Sequence, residues 1–190
     1  MVGFNLIELV NLEKDEIKLD RAIKEYLEIE KEYLKKQNYL EAKERLISEC
    51  NYIERAKLKS CIKYGMVISP GDICFIDFGR QYLSETGFLH FGLVLKMFNS
   101  KALIIPMTSN SEAYYSAYDE KTNPNGSSHL MRLGLVRGLN RHSVLFLNDV
   151  KYINTARIID IKAHLDTDSV LFKKIYQRFL QTVQFEEMVL

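Results

Sequence analysis

The feature that most constrains this chain is a change of hydrophobic period near residue 70. From Asn11 to Tyr64 there is neither proline nor glycine, and the text is Glu, Lys, Leu, Ile and Tyr, all compatible with helix. Ile23, Tyr26 or Leu27, Glu30 and Tyr33 or Leu34 mark one face of a first helix. Asp20 with Lys24 and Glu32 with Lys36 supply i,i+4 pairs along it. Gln37-Asn38 interrupts the pattern. A second helix is predicted from Tyr39 through Ala42, Leu46, Ile53 and Ala56 to Tyr64, with Gly65 placed as a left-handed cap. Residues 1–64 therefore read as a helical hairpin, and residues 65–190 as a second region.

After Ser69-Pro70-Gly71 the pattern is that of strands. Asp72–Phe78, His90–Phe98, Lys101–Met107, Leu130–Val136, Ser143–Leu147 and Arg157–Ile161 are short apolar or alternating runs. Asn99-Ser100 is a two-residue hairpin loop, and Gly138-Leu139-Asn140 and Asn148-Asp149 are turns. Six short strands in ninety residues predict a small, curled antiparallel barrel, and so an α+β chain. Asp166-Thr167-Asp168 is the expected cap of a terminal helix whose Leu171, Phe172, Ile175, Phe179 and Val183 share the face that covers the barrel. Between Thr108 and His129 lies a long segment with Tyr114, Tyr115 and Tyr118, read as a loop whose rings could stack on unpaired bases or pack down on the barrel.

Composition narrows the chemistry. Lys plus Arg number 26 against 25 acids, so no global basic field holds nucleic acid and any polyanion must be gripped locally. The balance holds in each region: 13 basic and 13 acidic residues lie in positions 1–64, leaving 13 against 12. Three cysteines, Cys50, Cys61 and Cys74, at spacings of 11 and 13, form neither a disulfide framework nor a zinc knuckle, and a reducing cytoplasm is the simplest home. No run approaches the length of an apolar membrane span, and the N-terminus lacks the features of a secretory signal. Phosphate-loop, dinucleotide, zinc-protease and nucleophile-elbow motifs are all missing, and nothing in the sequence implies a cofactor or a metal.

Pro70-Gly71-Asp72-Ile73, the Ile76-Asp77-Phe78 that follows, and Ser84-Glu85-Thr86-Gly87 with His90, Leu93, Val94 and Leu95 resemble the opening of the MazF/PemK-type toxins of bacterial toxin-antitoxin systems. Ile105-Pro106-Met107-Thr108-Ser109 resembles the strand that follows there. Gly138-Leu139 with Ser143-Val144, and Val150, Ile153 and Arg157-Ile158, are similar to two later blocks in the same order. The resemblance covers residues 70–160 and implies an SH3-like barrel of the CcdB/PemK type. It further implies a homodimer, an antitoxin protein partner, and metal-independent, sequence-selective endoribonuclease cleavage of single-stranded RNA such as mRNA.

In that chemistry a 2′-hydroxyl attacks the adjacent phosphorus, so the protein must accept one proton, supply another and stabilise the phosphorane oxygens. Carried over by position, the implied catalytic residues are His90, Thr108 and Glu85. His90 stands where the family has arginine, exchanging a permanent cation for a group that titrates near neutrality. Glu85 is expected to orient the His90 ring. Arg80 or Arg137 is expected to supply the missing cation, with Ser109, Asn110, Tyr114 and Tyr115 as further RNA contacts. Because the arginine is replaced, a second expectation stands beside the first: a barrel that binds RNA or a protein partner without cleaving anything, as the related gyrase poison CcdB acts by contact alone.

Overall fold

The structure is a computed structural model describing residues 9–11 and 15–184. The chain divides into two compact units at Leu46/Ile47, inside a helix. In the first unit, α1 (Glu16–Lys36) is capped by Asp15, whose side chain accepts from the amides of Ile17 and Lys18. The Asp20–Lys24 pair forms at 2.6 Å, whereas Glu32 pairs with Lys35 rather than Lys36. The second helix, α2 (Tyr39–Arg55), contributes Arg45, whose guanidinium grips the Glu30 carboxylate through Nε and Nη2 and lies over the Tyr33 ring. α2 ends nine residues before the predicted stop at Tyr64. Gly65 does adopt the left-handed conformation, φ 73°, but it caps a separate 3-10 turn at Cys61–Tyr64.

The second unit is built on an eight-stranded, mostly antiparallel sheet. Its strands are β1 (Asp72–Asp77), β2 (Leu89–Phe98), β3 (Lys101–Thr108), β4 (Ala117–Tyr118), β5 (Ser127–Gly134), β6 (Ser143–Phe146), β7 (Lys151–Asn154) and β8 (Ile158–His164). The pairing path runs β4-β5-β6-β3-β2-β1-β8, and β7 joins the far end of β3. The chain is thus the mixed α+β protein expected from its periodicity. β3 changes partner along its length: Lys101–Ile104 pair with β7, and Met107 and Thr108 pair with β6. Pro106, which has no amide hydrogen to donate, falls in the gap between those two ladders. The sequence reading missed β4 and β7, both too short to show a period.

One sheet face buries Ile73, Leu93, Leu95, Ile105, Met107, Met131, Leu133 and Leu145 in a single cluster. The terminal helix α4 (Val170–Val183) adds Phe172 and Ile175 to it, covering the sheet as predicted. Its cap is Ser169 rather than Asp166 or Asp168, because Ser169 Oγ accepts the Phe172 amide. Val183, assigned to the buried face, is 60% exposed. The opposite face buries Cys61, Cys74, Ile76, Val94, Ile104 and Ile158. The segment predicted as a long loop is ordered locally: Asn110 caps α3 (Ser111–Ser116), and Asp119 closes a turn through Lys121 and Thr122. Arg132 then ties the segment to β5, donating to the carbonyls of Tyr114 and Tyr115 and to Thr122 Oγ1.

Gly71 holds the entry to β1. Its φ is +91°, its amide donates to Val94, its carbonyl accepts from Leu165, and a Cβ there would lie 2.2 Å from the Leu165 carbonyl oxygen. Gly71→Ala is expected to destabilise the protein by roughly 2–4 kcal/mol in urea unfolding followed by circular dichroism. The thiols give a second check. Cys50 is exposed, whereas Cys61 and Cys74 are buried and burial pushes the Cys74 thiol up to about 12. At pH 8 a thiol reagent should titrate one cysteine per native chain at once, and the other two only after denaturation.

Candidate functional site

The ends of β2 and β3 carry the residues singled out by the sequence. Phe91 pairs with Met107 in the last rung of the β2–β3 ladder, and His90 and Thr108 are the next residue outward on each strand. His90 pairs with Ile76, Thr108 with Val144, and Val144 with Arg132. Directly opposed residues share a face and successive residues alternate, so Ile76, His90, Thr108, Val144 and Arg132 lie on one face of the sheet. His90 and Thr108 are thus on the same face at neighbouring strand ends, both half-buried.

The imidazole is oriented by backbone. Nδ1 of His90 lies 2.7 Å from the Gly87 carbonyl oxygen, which can only accept, so Nδ1 carries the proton and Nε2 of the neutral ring presents its lone pair. Glu85 does not serve this purpose. Its Oε2 accepts from the Tyr82 amide at 3.1 Å within its own exposed turn.

The loop that carries Gly87 is anchored from two sides. Phe78 and Gly79 exchange backbone hydrogen bonds with Phe88, and the Thr86 amide donates to Asp149 Oδ2 at 2.6 Å while Lys151 Nζ donates to the Thr86 carbonyl. Phe88 takes φ +48° to make this closure. Tyr82 and Leu83 at the loop tip are almost fully exposed.

Thr108 also lines a cleft of about 390 Å³ with Phe91, Met107, Ser109, Leu139, Arg141 and Lys162, among others; His90 does not line it, and Phe91 and Met107 belong to the face opposite the one His90 shares with Ile76. Thr108 Oγ1 accepts from the Asn110 amide at 3.2 Å, which leaves its own hydrogen available to donate. Ser109 lines the cleft, but Asn110 spends its side-chain oxygen on the amides of Glu112 and Ala113. Tyr114 is packed against Val144 and edge-on to His142, and the Arg132 guanidinium covers its ring at 4.8 Å, so Tyr115, 74% exposed, is the better placed of the two for a base. Arg80 is engaged by Glu49 of α2, and Arg137 is exposed on the loop after β5. Neither lines the Thr108 cleft. Its cations are Arg141 and Lys162, and Lys162 is paired with Asp160. Lys162 lies four positions beyond Ile158, where no motif marks it, and only the pairing of β8 with β1 brings it near. His164 is exposed and binds Asp72 Oδ1 through Nδ1 at 2.8 Å.

Among the described residues no group of three His, Cys, Asp or Glu side chains is placed to hold a metal ion, and no helix is long and apolar enough to cross a membrane.

Neither a family model nor a curated protein sequence matches the chain. Solved structures similar to it include MazF from Deinococcus radiodurans, with a TM-score of 0.46 and 15% identity over 62% of this chain and 97% of that one. Toxin MazF-mt6 of Mycobacterium tuberculosis gives 0.42 and 12% over 60% and 98%. An endoribonuclease in complex with its cognate antitoxin, from a mycobacterial species, gives 0.43 and 8% over 63% and 100%. The chain thus resembles MazF-type toxins over somewhat more than half of its length. At these scores the likeness assigns no residue a role, and the chemistry rests on the side chains themselves.

The anchoring of the Gly87 carbonyl can be measured. Asp149→Ala is expected to speed amide hydrogen exchange at Thr86 by roughly tenfold or more, since the lost charge-assisted hydrogen bond is worth about 1.5–3 kcal/mol. Amides in the centre of β2 should be unchanged.

Proposed function

We propose that the sheet-bearing unit is an endoribonuclease toxin that cuts single-stranded RNA at selected sites in the cytoplasm, working as a homodimer and held in check by an antitoxin protein. The observation that carries this reading is the placement of His90 and Thr108 on one face at the ends of neighbouring strands, one step beyond the Phe91–Met107 pair, with Nδ1 of His90 held by the Gly87 carbonyl. The ordered sequence blocks across residues 70–160 support it independently.

In this mechanism His90 Nε2 takes the proton of the substrate 2′-hydroxyl as the 2′-oxygen bonds to phosphorus. The bond from phosphorus to the 5′-oxygen breaks, that oxygen takes a proton from solvent water, and the proton held by His90 returns to solvent, with a 2′,3′-cyclic phosphate remaining upstream. Thr108 donates its hydroxyl hydrogen to a phosphorane oxygen. The nucleophile belongs to the substrate, so the reaction calls for no activated water. Tyr115 offers a face on which a flanking base can stack.

A second reading is favoured by a specific observation: no permanent cation stands in the position of His90, and Arg80 is engaged by Glu49. On that reading the unit binds RNA or a protein partner without cutting.

End-labelled single-stranded RNA separates the two. The enzyme yields fragments with cyclic phosphate ends, and His90→Ala and Thr108→Ala each slow cleavage by about 10²-fold or more. RNA that is shifted in a gel but never cut supports the binding module. Cleavage undiminished in both variants removes His90 and Thr108 from the chemistry.

A further inference from the structure

A second cavity, of about 440 Å³, lies wholly within the sheet-bearing unit and shares no lining residue with the Thr108 cleft. Three arginines reach it from three separate pieces of chain: Arg55 from the end of α2, Arg80 from the β1–β2 loop and Arg157 from the 3-10 turn before β8. Two carboxylates also line it, and both are engaged. Asp77 Oδ1 accepts from Ser48 Oγ and the Gly79 amide, and Oδ2 from Asn51 Nδ2. Glu49 holds Arg80.

The guanidinium groups are fixed in place. Arg55 Nη1 donates to the carbonyls of Ala156 and Ile158, and its plane lies 4.1 Å from the Tyr64 ring centroid. Arg157 Nη1 donates to the Asp77 carbonyl and lies where a side chain at position 79 would stand, so Gly79 leaves room for it. Arg55 Nε is a buried donor with no hydrogen-bond partner, an arrangement that ordinarily costs about 1–3 kcal/mol unless an acceptor is supplied.

We infer that this cavity binds a phosphate monoester carrying a flat ring, of the size of a nucleoside monophosphate. A planar carboxylate is satisfied by one guanidinium fork, whereas a tetrahedral dianion uses donors from several directions, and three separate pieces of chain bring an arginine to this lining. The volume exceeds what bare phosphate fills and lies within the range of small-molecule sites. The rest of the lining suits a ring: Tyr52 offers an aromatic face, Leu58 an apolar wall, and Asn51 and Asn154 amide groups for edge recognition. The inference stands on this lining alone and does not depend on the RNA chemistry proposed for His90 and Thr108.

The test is calorimetric titration of the full chain with each nucleoside monophosphate and, separately, with inorganic phosphate. At least one nucleotide is expected to bind roughly tenfold or more tighter than inorganic phosphate. Arg157→Gln should weaken both ligands about tenfold or more. Tyr52→Ala, at a 60% exposed helix position and expected to fold normally, should weaken the nucleotide about fivefold and leave inorganic phosphate unchanged. Absence of binding to the unaltered protein, equal affinity for nucleotide and phosphate, or a nucleotide affinity unchanged by Tyr52→Ala would each overturn the inference, whether or not Arg157→Gln folds.

Discussion

β1 carries a carboxylate at each end, and the sheet-bearing unit depends on how those two buried groups are satisfied. Asp77, only 2% exposed, collects hydrogen bonds from Ser48, Asn51 and Gly79. Asp72, 8% exposed, takes the Ser69 amide and the His164 imidazole. A buried carboxylate that loses its partners costs several kcal/mol, about 3–5 where an ion pair is broken. The demand at one end therefore binds the second half of α2 to the sheet, and at the other it binds β8 alongside β1. Elements far apart in the chain are positioned by the need to pair two negative charges in the interior.

The candidate site inherits its geometry from the Asp77 end. Gly79 bonds back to Asp77 and, with Phe78, closes the loop onto Phe88, which sets the height at which β2 begins. Gly87 follows from that closure and presents its carbonyl to His90. The histidine is thus oriented by backbone, a stiffer support than the flexible carboxylate of Glu85 would give. A hydrogen bond from a loop pinned by Asp149 and Lys151 holds one ring orientation and one tautomer, and a proton acceptor needs both.

Much of this was legible in advance. Strand residues 72–77, 89–98 and 101–108 are long enough to show their period, and Phe172 and Ile175 fall on the buried helix face because their spacing allows no other. The errors share a cause. α2 stops at Arg55 although the sequence to Tyr64 remains helix-compatible, because the Arg55 guanidinium is committed to the carbonyls of Ala156 and Ile158 and a new turn begins at Ser60. The segment after Thr108 reads as loop because its order comes from Asn110, Asp119 and Arg132, three polar side chains whose partners are backbone groups up to eighteen residues away.

By itself the sequence determined the helical N-terminal region, the α+β class and the order of the main strands, since each follows from local period; His90 and Thr108 were singled out only by the family resemblance. Only the tertiary structure decided which groups serve them. It turned Glu85 into its own loop, engaged Arg80 with Glu49, brought Lys162 and Arg141 to the cleft, and gathered Arg55, Arg80 and Arg157 around a second cavity. Those outcomes depend on strand register and on contacts between residues as much as 103 positions apart, and a periodicity of two or of 3.6 carries no record of which distant strand will lie alongside.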